Sequence, residues 1–350
     1  MVTIAHQELQ EYVSKLLAAA GCPGSVATRV AYALVESNLV GHDSHGVMRI
    51  PAYIDAIRAG TLIPTGAINV VAETPSTTLL DCGWNFGHVG AAQGMELAIE
   101  KARVQGLGMT VLRHCDHTGR IGEYVVMAAQ QGMIGQVFCN GSSPGGLVAP
   151  FGGTQRALGA NPIAWGIPGG DTEPIFLDFA TAAVAHGKIE VAADKGELLP
   201  EGFILDKFGR PTRDPRDALD GGVILPFGGH KGYALGVLIE LIGGGLSGVG
   251  FPLVPGYRWD QGTVLLAVNV ETFQPLAAFK QMISEFKTQL KSLPPAPGVD
   301  EILLPGEMEW QTKRKRVREG IPFPETTWQR IIEVAALFGV THPVAVTQWD

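Results

Sequence analysis

The sequence predicts an α/β protein with a helical unit built from its two ends, on three observations. Residues 1–66 and 274–350 carry helical period, strand-like runs alternate with helices between 67 and 273, and 46% of the 350 residues are apolar. That is enough to bury a sizeable core. Along residues 6–20, Leu9, Tyr12, Val13, Leu16 and Leu17 fall on one stripe, and Ser25 is placed to cap a second helix ending near Val40. A short third helix follows Pro51, with Ile54 and Ile57 inward and Gly60 at its end. From residue 67 the period changes. "AINVVAE" and "TTLLDCG" read as strands, "AAQGMELAIEKARVQG" as a helix and "GMTVLRH" as a strand. The alternation continues through "GEYVVMAAQQG", "IGQVFCN", "EPIFLDFA" and "GTVLLAVNV". Residues 194–226, rich in Pro, Gly and Asp, read as a long excursion over the core. The helical stretches after 274 are expected to fold back on the N-terminal helices, giving one helical domain from 1–66 and 274–350 and an α/β region from 67–273.

Composition narrows the function classes. Lys and Arg number 26 against 34 Asp and Glu, a formal charge of −8, which offers no general attraction to nucleic acid or anionic membrane. The basic run of Lys313, Arg314, Lys315, Arg316 and Arg318 reads as a solvated helix face. Cys22, Cys82, Cys115 and Cys139 show no CxxC spacing and the N-terminus has no signal layout, so free thiols in a reducing cytoplasm are expected. "YALGVLIELIGGGL" is interrupted by Glu240 and too short to span a bilayer.

Five stretches could carry chemistry. The literal GxGxxG at Gly243, Gly245 and Gly248 closes an apolar helix instead of opening one, so it lacks the free N–H groups a pyrophosphate needs. In "PFGGHKGYALG", two glycines precede His230, Lys231 and a helix start, which suits an anion such as a cofactor phosphate; a glycine turn with a solvated lysine is the alternative. "GHDSHGVMR" sets Asp43, Ser44, His45 and Arg49 on a loop between helices. His45 suits proton transfer and Arg49 a two-pronged grip on a carboxylate, whereas a helix cap beside a hydrogen-bonded turn histidine is the plainer reading. "RHCDHTGRIGEY" brings His114, Asp116 and His117 to a strand end; the spacing matches no known metal motif and no metal is expected. Asp178 ends an apolar strand, where a carboxylate could orient a histidine or cap a helix. Asn161–Pro162 and Pro305–Gly306–Glu307 are turns when taken alone.

Together and in order, "GHDSHGVMRIPAYIDAIRAG", "HTGRIGEY", "LGANPIAWGIP", "LDFATAAVAHGKI", "PEGFILDKFGRPTRDP", "GGHKGYALGVLIELIGGGLSG" and "LPGE" resemble the malate/L-lactate dehydrogenase family of the second type, most of all its hydroxycarboxylate dehydrogenase branch. That family includes sulfolactate and ureidoglycolate dehydrogenases and reductases of cyclic imino acids. The resemblance spans nearly the whole chain. It implies a non-Rossmann NAD(P)-binding fold of the L-sulfolactate dehydrogenase-like type, a central mixed sheet with helices, and NAD or NADP as cofactor. It also implies His45 as proton donor or acceptor, oriented by Ser44 and Asp178, with Arg49, His45 and Asn161 at the carboxylate substrate. His117, Gly119, Asp178, Phe179, Ala180, His230, Lys231, Gly306 and Glu307 would lie around the cofactor. In some members the residue matching His117 is regarded as the catalytic histidine, which leaves a second candidate for that role.

The implied reaction moves a hydride between nicotinamide and C2 of a 2-hydroxy or 2-oxo acid. Its nearest rival is reduction of a cyclic or N-alkyl imino acid, which uses the same proton donor. A scaffold that lost turnover and a metal-dependent hydrolase are the readings from other classes. The partners implied are the small acid substrate and a second copy in a homodimer.

Overall fold

The computed structural model describes residues 1–345, with residue 186 described by its backbone alone. Helix α1 (His6–Ala19) buries the five stripe residues expected of it. Helix α2 (Gly24–Leu39) starts one residue before Ser25, directly after Pro23, and no side chain caps it; a proline with no N–H to satisfy is itself a fitting boundary. Helix α3 (Ile50–Ala59) ends at Gly60 in the left-handed conformation. The chain's far end meets this unit. Strand β1 (Val2–Ile4) pairs antiparallel with β12 (Ile321–Phe323), and α11 (Glu325–Ala336) packs on α3. Leu16, Leu34, Ile50, Phe323, Trp328 and Ile331 share one core.

Helix α10 (Glu307–Glu319) lies on α2 and carries the basic run. The run is more than a solvated face. Lys313 pairs with Glu36 at 2.6 Å, Arg314 with Glu173 at 2.7 Å and Arg316 with Asp43 at 2.6 Å. Three of its cations therefore tie α10 to other elements. Among the described residues helix α9 (Leu276–Lys291) is tied to the sheet region, its Ser284 and Lys287 bonding Asp171 and Gly169. Residues 346–350 of the expected helical tail lie outside the described residues.

The centre is a seven-stranded mixed sheet. Its strands are β2 (Asn69–Glu73), β3 (Thr77–Asn85), β4 (Leu107–Cys115), β5 (Met133–Cys139), β6 (Pro162–Ile167), β7 (Ile175–Ala180) and β11 (Thr263–Asn269), in the order β2-β3-β4-β11-β5-β6-β7. Among the described residues β3 and β4 are its one parallel pair, and β11 returns late in the chain to pair antiparallel with both β4 and β5. A doubly wound dinucleotide fold would be mostly parallel, so this sheet is of another kind. Helix α4 (Gly87–Gln105) covers β3, β4 and β11, and α5 (Gly122–Gln130) covers β5 and β6.

Helix α8 (His230–Ser247) lies against β4, β5 and β11, with the literal GxGxxG at its C-terminal end and Gly248 as its left-handed cap. Of these glycines Gly243 serves packing and Gly248 the left-handed cap. A Cβ at Gly243 would stand 2.6 Å from the Gly262 carbonyl oxygen. Residues 194–226 are more ordered than a bare excursion. After α6 (His186–Lys195) they form β8 (Ile204–Leu205), β9 (Pro211–Thr212), α7 (Pro215–Leu219) and β10 (Val223–Ile224), with the three strands in one small sheet. Val148, Ile189, Leu199, Ile204 and Ile224 give this lobe its own core.

Candidate active site

Two 3-10 turns, Asp43–His45 and Val47–Arg49, carry the histidine loop from α2 into α3. Asp43 anchors it. Its carboxylate accepts from Asn38 Nδ2 at 2.6 Å and from both Nη atoms of Arg316 at 2.6 and 3.0 Å, a forked pair with fixed geometry. Asn38 Oδ1 also accepts from Val47 N at 2.9 Å, and a Cβ on Gly46 would stand 2.3 Å from that same side chain. Glycine is therefore required at 46 for the two turns to close on Asn38. Held between them, Ser44 Oγ lies 3.1 Å from His45 Nδ1.

The second wall comes from the end of β4. Asp116 N donates to Asn85 O at 3.0 Å, while Asp116 Oδ1 accepts from His117 N at 2.6 Å. Gln261 and Tyr124 fasten Thr118. Gly119 has φ +73°, and a Cβ there would lie 2.3 Å from His88 Nε2, so both conformation and close approach call for glycine. His117 is thereby stacked on His45, with ring centroids 5.4 Å apart and planes 25° apart. Its Nδ1 lies 2.7 Å from Tyr53 Oη, and His88 meets its ring edge-on at 6.0 Å.

Burial sets the charges here. It pushes the His45 pKa down to about 3, with Arg49 next in effect, and pushes His88 down to about 3 as well. His117 is lowered by the same burial and by Arg49. All three rings are neutral at pH 7. Asp116 is pushed up to about 6 by burial, against the pull of Arg49. The Arg49 Nε is buried with no hydrogen-bond partner, as are both ring nitrogens of His88. A guanidinium left so, beside a neutral histidine, is arranged for an anion.

The lowered histidines make an acid-labile fold. The unfolded chain protonates histidine near pH 6.5 while buried His88, 1% exposed, stays neutral to about 3. Stability is therefore lost as pH falls through that window, by about 1.4 kcal/mol per unit for this ring. Urea midpoints are expected to drop between pH 6.5 and pH 5, and to drop less in His88→Phe; equal slopes in the two proteins would contradict this.

Asp178 sits on β7, the edge strand. Its Oδ2 accepts from Gly122 N at 2.7 Å at the start of α5, and burial raises its pKa against His42 and Arg120. No hydrogen bond joins it to His45, whose partner is Ser44, so the expected direct orientation of His45 by Asp178 is not present as a contact. Cofactor candidates line the same strand. Phe176 N donates to Pro305 O at 3.3 Å beside Gly306, and Phe179 meets Phe227 edge-on at 5.3 Å, three residues before His230. Ala180 precedes Thr181, whose carbonyl accepts from Phe227 N at 3.0 Å. His230 and Lys231 open α8 at the exposed surface behind Gly228 and Gly229. Glu307 is tied to Lys291 at 2.6 Å and to Leu304 N at 2.8 Å.

Asn161, expected at the substrate, spends its amide on α8. Fully buried with φ +43°, it donates to Gly236 O at 2.9 Å and Glu240 Oε2 at 2.7 Å, and Glu240 also holds Asn140 and Gly159 N. It is a post that anchors α8, which a buried carboxylate needs. His114 likewise turns from His117 toward Asp81, 2.8 Å away, and stacks on Trp84. Among the described residues no three His, Cys, Asp or Glu could hold a metal ion. Asp116, weighed from sequence only as a possible metal ligand, lies beside His117, and Tyr53 and His88 meet the His117 ring without having been singled out as site residues from sequence.

A family model described as malate/L-lactate dehydrogenase matches residues 4–332. The L-sulfolactate dehydrogenase of Methanothermobacter thermautotrophicus is 38% identical over 338 residues, which cover 95% of this chain and 96% of that one. The crystal structure of malate dehydrogenase from Entamoeba histolytica superposes with a TM-score of 0.92 at 31% identity, over 97% of this chain and 99% of that one. The Δ1-piperideine-2-carboxylate reductase of Pseudomonas syringae pathovar tomato does so with a TM-score of 0.83 at 29% identity, over 95% and 100%. With its mixed sheet, its histidine loop and matches of this extent, the chain belongs to the malate/L-lactate dehydrogenase family, whose members carry out hydroxy-acid oxidoreduction.

Proposed function

We propose that the protein is an NAD- or NADP-dependent 2-hydroxycarboxylate dehydrogenase in which His45 moves the proton and Arg49 holds the substrate carboxylate. The observation that carries this reading is the half-buried His45, neutral at pH 7, between Ser44 and His117, with the Nε of Arg49 buried and left without a partner. Ser44 occupies Nδ1 and leaves Nε2 for the substrate oxygen. In the oxidising direction neutral His45 accepts the hydroxyl proton. In the reducing direction it must first gain one, and a carboxylate docked on Arg49 cancels part of the positive field that holds it neutral.

The residues present fit a nicotinamide cofactor. Helix α8 begins behind two glycines of positive φ, nothing stands within 4 Å of where a Cβ at Gly228 would be, and no side chain caps the helix, so its first N–H groups and Lys231 are open to a phosphate. Phe179, 39% exposed beside Phe227, offers an aromatic face. When bound, the cofactor supplies or takes the hydride at C2 of the substrate.

A second acceptor, a cyclic imino acid, is favoured by the likeness to the piperideine-2-carboxylate reductase. Loss of the reduced-nicotinamide absorbance band, with NADH and NADPH tested separately against 2-oxo acids and cyclic imino acids, separates the two. Turnover of 2-oxo acids is expected; activity confined to imines would replace the dehydrogenase reading, and silence across the panel would contradict both.

A homodimer is part of the proposal. Leu238, Leu241 and Leu246 of α8, with Leu253 and Val254, are each more than half exposed, an apolar stripe suited to a second copy. Light scattering that gives a monomer mass would contradict it. The four free, buried cysteines support the expected reducing cytoplasm, and no described helix is long and apolar enough to cross a membrane.

A further inference from the structure

Two neutral imidazoles face each other at this site, and each has one nitrogen engaged and one free. Ser44 Oγ lies 3.1 Å from Nδ1 of His45, and the Tyr53 hydroxyl lies 2.7 Å from Nδ1 of His117. Among the described residues neither Nε2 has a hydrogen-bond partner. The ring centroids are 5.4 Å apart and the planes within 25° of each other. That gap leaves room for one oxygen within hydrogen-bond reach, about 2.9 Å, of a nitrogen on each ring.

What an imidazole does to that oxygen depends on its tautomer. A neutral ring carries one N–H and one bare nitrogen, and the partner of Nδ1 decides which end is which. At His117 the surroundings of Tyr53 set the direction. Tyr53 is on the buried stripe of α3, 4% exposed, and burial raises the pKa of its hydroxyl, which therefore stays protonated. Arg49 acts on that hydroxyl by its charge and as a hydrogen-bond donor, and a guanidinium cannot accept in return. The hydroxyl proton is left with His117 Nδ1 as its acceptor, and a buried donor goes unbonded only at a cost. His117, kept neutral by burial, accepts on Nδ1 and so carries its own hydrogen on Nε2. Phe86 and His88 pack edge-on against the Tyr53 ring at 5.4 and 5.8 Å, which fixes where the hydroxyl points.

We propose that Tyr53 is a positioning residue for the reaction: by donating to His117 Nδ1 it holds His117 in the Nε2–H form, and that N–H donates to the substrate's C2 oxygen while His45 exchanges the proton with it. This rests on the oxidoreductase reading and adds a residue to it. The two rings then have opposite tasks. In reduction, as C2 receives the hydride, the carbonyl π pair moves onto oxygen, His45 gives that oxygen its proton, and His117 keeps its own while stabilising the charge that grows there.

The test joins nitrogen NMR of protein labelled in its histidine rings with steady-state kinetics, in the wild type, Tyr53→Phe, His117→Gln and the double variant. Signals lost in His117→Gln identify that ring. Wild-type His117 is expected with hydrogen on Nε2 and a bare Nδ1, and in Tyr53→Phe the form with hydrogen on Nδ1 should appear beside it. With oxaloacetate, Tyr53→Phe should lower kcat by about 3- to 10-fold, the effect of one neutral hydrogen bond, with KM changed by about twofold or less. The double variant should turn over no more slowly than His117→Gln alone, because Tyr53 acts through that ring. Hydrogen on Nδ1 of His117 in the wild type, or an unchanged spectrum in Tyr53→Phe, would overturn the proposal. So would losses that multiply in the double variant, or a raised KM at unchanged kcat, which would assign Tyr53 to holding Arg49 at the carboxylate. If Tyr53→Phe fails to fold, the wild-type spectrum still decides. No turnover of any 2-oxo acid would instead be the failure of the oxidoreductase reading, and the donor role of His117 would fall with it.

Discussion

Replacing His45 by alanine is expected to lower kcat by about 10²- to 10⁴-fold in both directions, the range a positioned general acid–base supplies. The side chain is a ring whose Nδ1 is occupied by Ser44 and whose pKa is held at about 3 by burial and Arg49. Loss of the ring removes the proton carrier without opening the core, because the loop is held by Asp43, Asn38 and Arg316 and not by His45 itself. The stacked neighbour is the control. His117 has Nδ1 engaged by Tyr53 at 2.7 Å and packs between His45 and His88, which suits a wall that orients ligands. His117→Ala should therefore lower kcat less than His45→Ala does. The reverse order, with near-normal turnover in His45→Ala, would move the acid–base role to His117.

Arg49→Lys is expected to raise KM for 2-oxo acids by about 10- to 100-fold with a smaller fall in kcat. An ammonium keeps the charge but loses the planar fork that meets both carboxylate oxygens. Arg49 suits that grip because its Nε is buried without a partner, so the carboxylate completes hydrogen bonding the fold leaves open. Steady-state kinetics check both parts. An unchanged KM would remove Arg49 from the carboxylate site.

Much of this architecture is legible in the sequence, for physical reasons. Leu9, Tyr12, Val13, Leu16 and Leu17 announce α1 because burial follows the helical period, and the glycines at 243, 245 and 248 betray themselves by closing an apolar helix. The cluster at Asp43, Ser44, His45 and Arg49 reads as a helix cap on its spacing alone and becomes a candidate site through the seven motifs in order; its Asp43 does hold the loop, to Asn38 and Arg316. What stays hidden depends on distant partners. Arg316 reads as part of a solvated basic face until Asp43, 273 positions away, is seen in its fork. Tyr53 shares its helical stripe with Ile50 and Ile54 and looks like core. His88 opens an apolar helix, and only the approach of Gly119 shows why a buried imidazole is there. Asn161 sits in a family-like motif, yet its amide serves Glu240, a carboxylate on α8 that sequence gives no reason to connect with it.

The central claim is hydride transfer at C2, and isotope tracing tests it most directly. Wild-type protein is mixed with nicotinamide cofactor carrying deuterium at C4 in the transferred position and with oxaloacetate, and the product is read by mass spectrometry. The account predicts a 2-hydroxy acid with one deuterium, bound at C2. A product without deuterium at C2, or label recovered only when a cyclic imino acid replaces the oxo acid, would contradict it.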